Sequence, residues 1–157
     1  MQRIGLISDT HGLLRPGALA ALHGCDYIVH AGDIGPEGIL DALRDLAPLT
    51  VVRGNNDTAA WAEALPASAT LEAGGVSIHV LHDIAELAID PAAQGVRVVV
   101  SGHSHKPTVT ERAGVLYVNP GSAGPRRFRL PIALAELRID QGQVTVHTTE
   151  LPADAPA

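Results

Sequence analysis

A repeated arrangement, in which an apolar run of strand type ends in a metal-ligating side chain, most constrains the fold of this chain. The run Ile4 to Ile7 is followed by Asp9 and His11, a carboxylate and an imidazole with one residue between them. An aspartate after a strand is by itself typical of a turn or a helix cap. Here the arrangement recurs four times, so the pattern indicates a shared site. The four further segments are Gly32-Asp33, Gly54-Asn55-Asn56-Asp57, Leu81-His82-Asp83 and Gly102-His103-Ser104-His105.

Strand and helix patterns alternate in the first half of the chain. We predict strands at residues 3–8, 27–30 and 50–53, and helices at residues 16–22 and 37–46 between them. This βαβαβ order implies parallel strands that are joined by right-handed crossovers.

The second half is dominated by predicted hairpins. Gly74-Gly75, Ala113-Gly114 and Gln141-Gly142 each separate two apolar runs, which is typical of a tight turn between antiparallel strands. The paired strands are predicted at 70–72 with 76–81, 108–111 with 115–118, and 132–139 with 144–149. A short helix at 84–89 and a buried strand at 96–101 complete the pattern. Together the two halves predict an α/β domain over residues 1–151, with two sheets packed face to face, helices outside and a flexible tail at 152–157.

Length, charge and composition restrict the class of protein. The 157 residues, 46% of them apolar, suffice for one domain with a substantial core. No stretch is long and apolar enough to span a bilayer, and the N-terminus shows no signal sequence, so we expect a cytoplasmic protein without a membrane partner. The formal net charge of −6 argues against a nucleic acid as a stable partner. A homo-oligomer stays possible.

The candidate ligands combine carboxylate, amide and imidazole groups without a thiolate. They are Asp9, His11, Asp33, Asn55, His82, His103 and His105. This set has more ligands than one tetrahedral zinc site needs, and it fits two divalent ions that share a bridging carboxylate. Asp33 is the predicted bridge, since Gly32 before it permits a close approach of the backbone. Ligands of this chemistry suit manganese first, with nickel, cobalt, iron and zinc as alternatives.

Such a site points to phosphoryl chemistry. Two divalent ions, two aspartates and a bridging hydroxide leave a residual charge of about +1 to face an anionic substrate. Two ions roughly 3.5–4 Å apart lower the pKa of a shared water and clamp the attacking and leaving oxygens of a phosphoryl group. We therefore expect in-line attack on phosphorus by a metal-bridging hydroxide, without a nucleophilic side chain.

In their order along the chain, these motifs resemble the calcineurin-like metallophosphoesterase superfamily. The pattern is D-x-H, G-D, G-N, a lone H and G-H-x-H; the later Asn119-Pro120-Gly121-Ser122 is similar to the small YfcE-type phosphodiesterase branch. The resemblance implies a four-layer αββα sandwich of two mixed β-sheets flanked by helices, with a dinuclear site at the strand ends. It assigns one cation to Asp9, His11, Asp33 and His105, and the other to Asp33, Asn55, His82 and His103.

The chain departs from the family pattern at two positions. Asn56 stands where many members have a histidine that protonates the leaving group, and Asp83 stands where glycine usually follows the lone histidine. We predict a phosphodiesterase for small phosphate esters, with Asp33, Asn55, Asn56 and His82 as its catalytic residues. A phosphomonoesterase, a dinucleoside polyphosphate hydrolase and a non-catalytic scaffold on the same fold, as a related retromer subunit is thought to be, are the alternatives.

Two further residues have a structural interpretation beside a functional one. His30 is equally well a core histidine or a residue that orients a ligand carboxylate. Asp57 is interpreted first as the cap of its own turn.

Overall fold

The chain folds into two five-stranded mixed sheets, as described for residues 1–127 and 129–152 in the computed structural model. The strands are β1 (Gln2–Ile7), β2 (Tyr27–His30), β3 (Leu49–Val51), β4 (Ser68–Ala73), β5 (Val76–Leu81), β6 (Val96–Val100), β7 (Thr108–Arg112), β8 (Val115–Asn119), β9 (Ile132–Asp140) and β10 (Gln143–Leu151). In the predicted tail, residues 153–157 lie outside the described part of the chain.

The first sheet has the strand order β10-β9-β1-β2-β3. β1 pairs parallel to β2, with Ile7 opposite His30, and β2 pairs parallel to β3, with His30 opposite Val51. The carboxyl ends of the three strands therefore lie side by side, as the βαβαβ pattern predicted. On its other side β1 pairs antiparallel to β9.

The second sheet has the order β4-β5-β6-β8-β7. β5, β6 and β8 run parallel, so the segments that follow Leu81, Val100 and Asn119 leave the sheet at one edge. The hairpins β4–β5, β7–β8 and β9–β10 form at the three predicted glycine-containing turns, with β9–β10 joining the first sheet.

Aliphatic side chains fill the space between the sheets. The inner layer includes Ile4 and Leu6 of β1, Ile78 and Val80 of β5, and Leu137 of β9, all fully buried. Only 3% of the residues are aromatic, so the layer is built from β-branched and leucine side chains, which pack densely between two pleated surfaces.

The outer faces of the two sheets are covered differently. Two helices, α1 (Pro16–Leu22) and α2 (Gly38–Arg44), cover the first sheet and bury Leu22, Leu40 and Leu43 against it. The outer face of the second sheet packs against Leu87 and Ile89 of the segment that follows β5. The sandwich of two mixed sheets with outer helices is confirmed, and its second outer layer is thin.

The helical predictions differ from the structure in detail. Residues 84–89 were expected to be one short helix, and only Ile84–Glu86 is helical, as a single 3₁₀ turn capped by Asp83. A second 3₁₀ helix, Ala60–Ala64, was not predicted, since five residues are too few to show a helical period. Among the described residues, none of the helices is long and apolar enough to cross a membrane.

Candidate metal centre

The predicted ligands converge at the edge where the parallel strands of both sheets end. In chain order, β1, β2, β3, β5 and β6 are followed by Asp9 and His11, by Asp33, by Asn55, by His82, and by His103 and His105. Parallel strands of one sheet end at the same edge, so residues far apart in the chain become neighbours there.

A first group of ligand atoms consists of Asp9, His11 and His105. The Asp9 Oδ1 atom lies 3.3 Å from His105 Nε2 and 3.6 Å from His11 Nε2. The two imidazole Nε2 atoms are 3.3 Å apart. Three potential ligand atoms within 4.8 Å of one another can hold one cation.

A second group consists of Asp9, Asp33 and His82, also with ligand atoms within 4.8 Å of one another. His82 Nε2 is 3.3 Å from Asp33 Oδ2 and 3.9 Å from Asp9 Oδ1. Asp33 Oδ2 lies 3.7 Å from His11 Nε2 of the first group. Asp9 therefore belongs to both groups, Asp33 of the second group adjoins the first, and the choice of Asp33 as the bridge stays a prediction.

Asn55 and His103 form a pair at the rim, outside the two groups. Asn55 Oδ1 is 3.2 Å from His103 Nδ1, and 47% of the His103 side chain is exposed. The His103 ring contacts the His82 ring edge-on, with 5.2 Å between the ring centroids. The pair thus adjoins the second group on its solvent side.

Asn56, the predicted catalytic residue next to Asn55, contacts the Asp33 carboxylate. Its backbone N–H donates to Asp33 Oδ1 at 2.8 Å, and its side-chain Nδ2 donates to Asp33 Oδ2 at 3.1 Å. In this position Asn56 orients the carboxylate of a candidate ligand.

Backbone strain is concentrated on the candidate ligands. In the described chain the non-glycine residues with positive φ are seven, and five of them are Asp9, His11, Asp33, His103 and His105. The other two, Ala113 and Gln141, occupy hairpin turns. A left-handed conformation costs roughly 1–2 kcal/mol for a residue with a Cβ, and such strain clusters at functional sites. The strain is therefore evidence for a functional site, and this evidence comes from the backbone and not from the types of residue.

Two motif glycines allow the loops to approach closely. A Cβ atom at Gly54 would overlap the Asp33 carboxylate and backbone, and one at Gly102 would overlap Ser8 Oγ and lie 2.6 Å from Asp9 Oδ2. Both glycines are therefore required by the packing of one ligand-bearing loop against another.

Asp57 has a larger role than the predicted turn cap. Its Oδ2 accepts from Gly54 N at 2.8 Å and from Asp33 N at 2.9 Å, while its Oδ1 accepts from Ile34 N at 2.8 Å. The buried carboxylate thus joins the loop after β3 to the loop after β2. The sequence carried no signal for this role, because an aspartate that caps its own turn and an aspartate that joins two loops look the same in the sequence.

His30 also joins two ligand loops, and it does not contact a ligand carboxylate. Its Nδ1 accepts from Gly32 N at 3.0 Å, so its Nε2 carries the proton and faces Thr10 Oγ1 at 3.0 Å. Thr10 Oγ1 in turn donates to Ile34 O at 2.7 Å. Complete burial lowers the pKa of the His30 imidazole to about 3, so the ring is neutral in the folded protein.

Asn119 and Ser122 hold the remaining loops. Asn119 Nδ2 donates to Gly102 O at 2.9 Å and to Ser104 Oγ at 3.0 Å. Ser122 Oγ donates to Asp9 O at 2.9 Å. The last residue of β8 therefore supports the loop that carries His103 and His105, and the segment after β8 supports the loop that carries Asp9.

The electrostatic setting of the cluster favours a cation. Burial opposes ionisation of Asp33, but the His82 imidazole 3.3 Å away and the backbone hydrogen bond from Asn56 outweigh it and lower the pKa of this carboxyl to about 2. Burial also opposes a charged His82, yet Asp33, the Ala31 carbonyl and Asp9 together raise the pKa of its imidazole. The negative field that attracts a proton to His82 attracts a metal ion equally. Burial, with Arg127 and His11, lowers the pKa of His105, which keeps this ring in its ligating form.

The unpaired atoms of the cluster test whether a cation fits. In the described part of the chain, Asp9 Oδ1 and His82 Nε2 are buried without a hydrogen-bond partner. The two atoms lie 3.9 Å apart, which is too far for a hydrogen bond between them. A buried polar atom without a partner costs roughly 1–3 kcal/mol, and a cation between the two would satisfy both. Oxygen and imidazole donors also suit borderline divalent ions. The residues present therefore fit divalent metal ions.

Two clefts open beside the cluster and share Asp83 and His103. One cleft, of about 210 Å³, is lined by Arg53, Gly54, Asn55, Ala67, His82, Asp83, Glu86 and His103. The other, of about 240 Å³, extends over the outer face of the second sheet, past Thr108 and Thr110 to Arg112 and Tyr117. The Arg112 guanidinium carbon lies 4.4 Å from the centre of the Tyr117 ring.

Comparison with known proteins places this geometry in a family context. The family model for the calcineurin-like phosphoesterase superfamily domain matches residues 2–142. A probable metallophosphoesterase of Methanocaldococcus jannaschii is 36% identical over 132 residues, which cover 76% of this chain and 67% of that protein. Another, from Methanothermobacter thermautotrophicus, is 32% identical over 149 residues, 87% of this chain and 86% of that protein.

Solved structures share the fold at low identity. A protein described as a novel archaeal phosphodiesterase superposes with a TM-score of 0.80 at 20% identity, covering 96% of this chain and 100% of that one. Vps29 from Entamoeba histolytica, in a complex with zinc, superposes with a TM-score of 0.74 at 22% identity, covering 95% and 99% of the two chains. At these identities the likeness shows the fold alone.

Proposed function

The chain belongs to the calcineurin-like phosphoesterase superfamily, and from that premise we propose that this metallophosphoesterase is a phosphodiesterase with a dinuclear site. One observation carries the proposal. Two groups of three ligand atoms share Asp9, and Asp33 Oδ2 of the second group lies 3.7 Å from His11 Nε2 of the first. Adjoining groups of this kind could hold two cations side by side, which is the arrangement that enzymes use for hydrolytic phosphoryl transfer.

The residues divide between two cations. Asp9, His11 and His105 would hold the first, and His82, Asn55 and His103 the second, with Asp33 between them. The ions would supply an activated water and neutralise charge that develops on the phosphoryl oxygens, and manganese is the ion we expect first. The residual positive charge would attract an anionic ester into the cleft.

The fate of the leaving group follows from Asn56. Its side chain donates to Asp33 and has no proton to transfer near neutral pH. The leaving oxygen would therefore take its proton from water, which favours esters of acidic alcohols and phenols.

A diester suits the surroundings of the cluster better than a monoester. A phosphodiester carries two substituents, and two clefts of similar volume meet at Asp83 and His103. One cleft for each substituent would leave the phosphoryl group at the cations. Phosphomonoesters and dinucleoside polyphosphates are the alternative substrates. A monoester has one substituent, so one of the two clefts would stay without a substrate group.

A non-catalytic scaffold is the alternative of another class. It requires no ligand atoms, whereas all seven ligand positions are filled here and five of the ligands adopt a strained backbone. Retention of that strain is hard to explain without a bound ion. The cytoplasmic location and a homo-oligomeric state stay predictions from the sequence.

The test is an assay of the chelator-stripped protein with each metal restored in turn. We expect hydrolysis of bis(p-nitrophenyl) phosphate that exceeds hydrolysis of p-nitrophenyl phosphate, with manganese the most effective ion. A metal-loaded protein that hydrolyses the monoester faster would support the phosphomonoesterase, and one that hydrolyses neither would support the scaffold.

A further inference from the structure

Asp83 lies at the junction of the two clefts, directly after the candidate ligand His82. Its two carboxylate oxygens have different surroundings. Oδ1 accepts from Ala85 N at 3.0 Å and so caps the 3₁₀ helix Ile84–Glu86. Oδ2 lies 3.8 Å from His103 Nε2, within ion-pair distance.

The orientation of the His103 ring assigns a role to each of its nitrogens. Nδ1 is 3.2 Å from Asn55 Oδ1, the other candidate ligand atom at the rim. An amide oxygen only accepts, so this contact is a hydrogen bond when the proton is on Nδ1, whereas with the proton on Nε2 the two atoms are placed to bind the same ion. Nε2 is then left as the nitrogen that faces the Asp83 carboxylate.

We propose that Asp83 is a positioning residue for the second cation: its carboxylate charge, 3.8 Å from Nε2, favours the His103 tautomer with the proton on Nε2 and thereby leaves the lone pair of Nδ1 for the ion. A ligating histidine commonly donates its other N–H to a carboxylate, which fixes the tautomer, orients the ring and raises the basicity of the ligating nitrogen. The effect matters most here, because His103 is the exposed one of the four candidate histidine ligands. The inference rests on the proposed function only in taking His103 as a ligand.

The experiment measures metal binding, with variants that separate the two oxygens of Asp83. Serine at position 83 can cap the 3₁₀ helix through its hydroxyl but is too short to reach His103. Asparagine can cap the helix and keeps a neutral acceptor toward the ring. Glu86, a carboxylate that lines the same cleft, provides the matched control as Glu86→Gln. Chelator-stripped wild type and the three variants would be titrated with Mn²⁺ in a calorimeter.

We expect two binding events in the wild type, and a Kd for one of them that rises roughly 10–100-fold in Asp83→Ser. Asp83→Asn should show a smaller rise and Glu86→Gln none. In the chelator-stripped protein, imidazole ¹⁵N spectra should report the His103 proton mainly on Nε2 in the wild type and a larger share on Nδ1, which faces Asn55 Oδ1, in Asp83→Ser. A residue that only capped the helix would change neither readout.

Three results would overturn the inference. They are a single binding event in the wild type, unchanged Kd values in Asp83→Ser, and an equal loss in Glu86→Gln, which would mean a general charge effect. Failure of the proposed function is a separate result. A wild type that binds two ions, responds to Asp83→Ser and hydrolyses no ester would reject the phosphodiesterase and leave the role of Asp83 intact.

Discussion

The Asp57 carboxylate accepts a hydrogen bond from the backbone N–H of Asp33 at 2.9 Å, and with the same oxygen it accepts from Gly54 at 2.8 Å. Asp57 is not a ligand, yet it sets the distance between the loops that carry Asp33 and Asn55. Since its other oxygen accepts from Ile34 N, one buried side chain satisfies three backbone donors.

Replacement of Asp57 should therefore destabilise the fold. Asp57→Ala leaves three buried N–H groups without a partner, at roughly 1–3 kcal/mol each, so we expect the free energy of unfolding to fall by about 3 kcal/mol or more. Urea unfolding at pH 7 measures it. The exposed Asp140 offers the control, since Asp140→Ala should change stability by less than about 0.5 kcal/mol. If Asp57→Ala lowered the free energy of unfolding as little as Asp140→Ala does, water would have replaced the carboxylate as the acceptor.

Asp33→Asn should remove activity and metal together. Asp33 Oδ2 lies near His82 of one ligand group and near His11 of the other, so loss of its charge weakens both sites. We expect fewer than one tightly bound ion per chain by elemental analysis after gel filtration, and no turnover of bis(p-nitrophenyl) phosphate above background. Normal turnover in this variant, with two ions retained, would reject Asp33 as the bridge.

Asn56→His tests whether a missing acid limits the reaction. The substitution keeps the backbone hydrogen bond to Asp33 and replaces the amide by a group that can donate a proton. We expect kcat to rise about tenfold for diesters of poorly acidic alcohols and to change little for nitrophenyl esters. Equal losses for both substrate types would show that Asn56 serves only to orient Asp33.

Metal ions should stabilise the folded protein. They bind the folded cluster and not the unfolded chain, so an ion at one hundred times its Kd adds about 2.7 kcal/mol. For a domain of this size we expect Tm to rise by about 5–10 °C when Mn²⁺ is restored to chelator-stripped protein. Differential scanning calorimetry measures it, with His82→Asn as the variant in which the rise should shrink. An unchanged Tm in the wild type would argue against a metal site.

Glu136, which is not a candidate ligand, should make the stability of the fold depend on pH. Hydrogen bonds from Arg3, opposed by burial and reinforced by Arg138, lower the pKa of Glu136 from 4.5 to about 2. The unfolded chain therefore takes up this proton at higher pH than the folded one does. The stabilisation is complete above about pH 4.5 and is lost as the pH falls toward 2.

Glu136→Gln measures this contribution. At pH 7 we expect the variant to be less stable by about 1–2 kcal/mol, since Arg3 and Arg138 are partly exposed to solvent. The difference should close as urea unfolding is repeated at lower pH toward 2.5. Exposed Glu150, changed to Gln, serves as the control. A difference that is constant with pH would assign the loss to packing.

Much of the fold could be predicted from local pattern. Strands β1 and β2, helix α1 and the three glycine-centred hairpins lie where the apolar runs and turn residues indicated, because each depends on a few consecutive residues. The 3₁₀ helix Ala60–Ala64 did not follow from the sequence, because one short turn leaves no periodic pattern. The thin layer over the second sheet was not predictable from the sequence either, since it depends on which side chains pack onto the outer face of the folded sheet.

The sequence by itself determined that ligands of suitable chemistry stand at the ends of five strands, since a strand end and its neighbouring residue are local features. Only the tertiary structure decided how they divide: Asp9 shared by two groups, His103 at the rim, and Asp83 facing its ring. His103 N donates to Asp9 Oδ2 across 94 positions of the chain, and such contacts depend on sheet register and loop packing. Those are properties of the whole fold, because no short segment contains both partners.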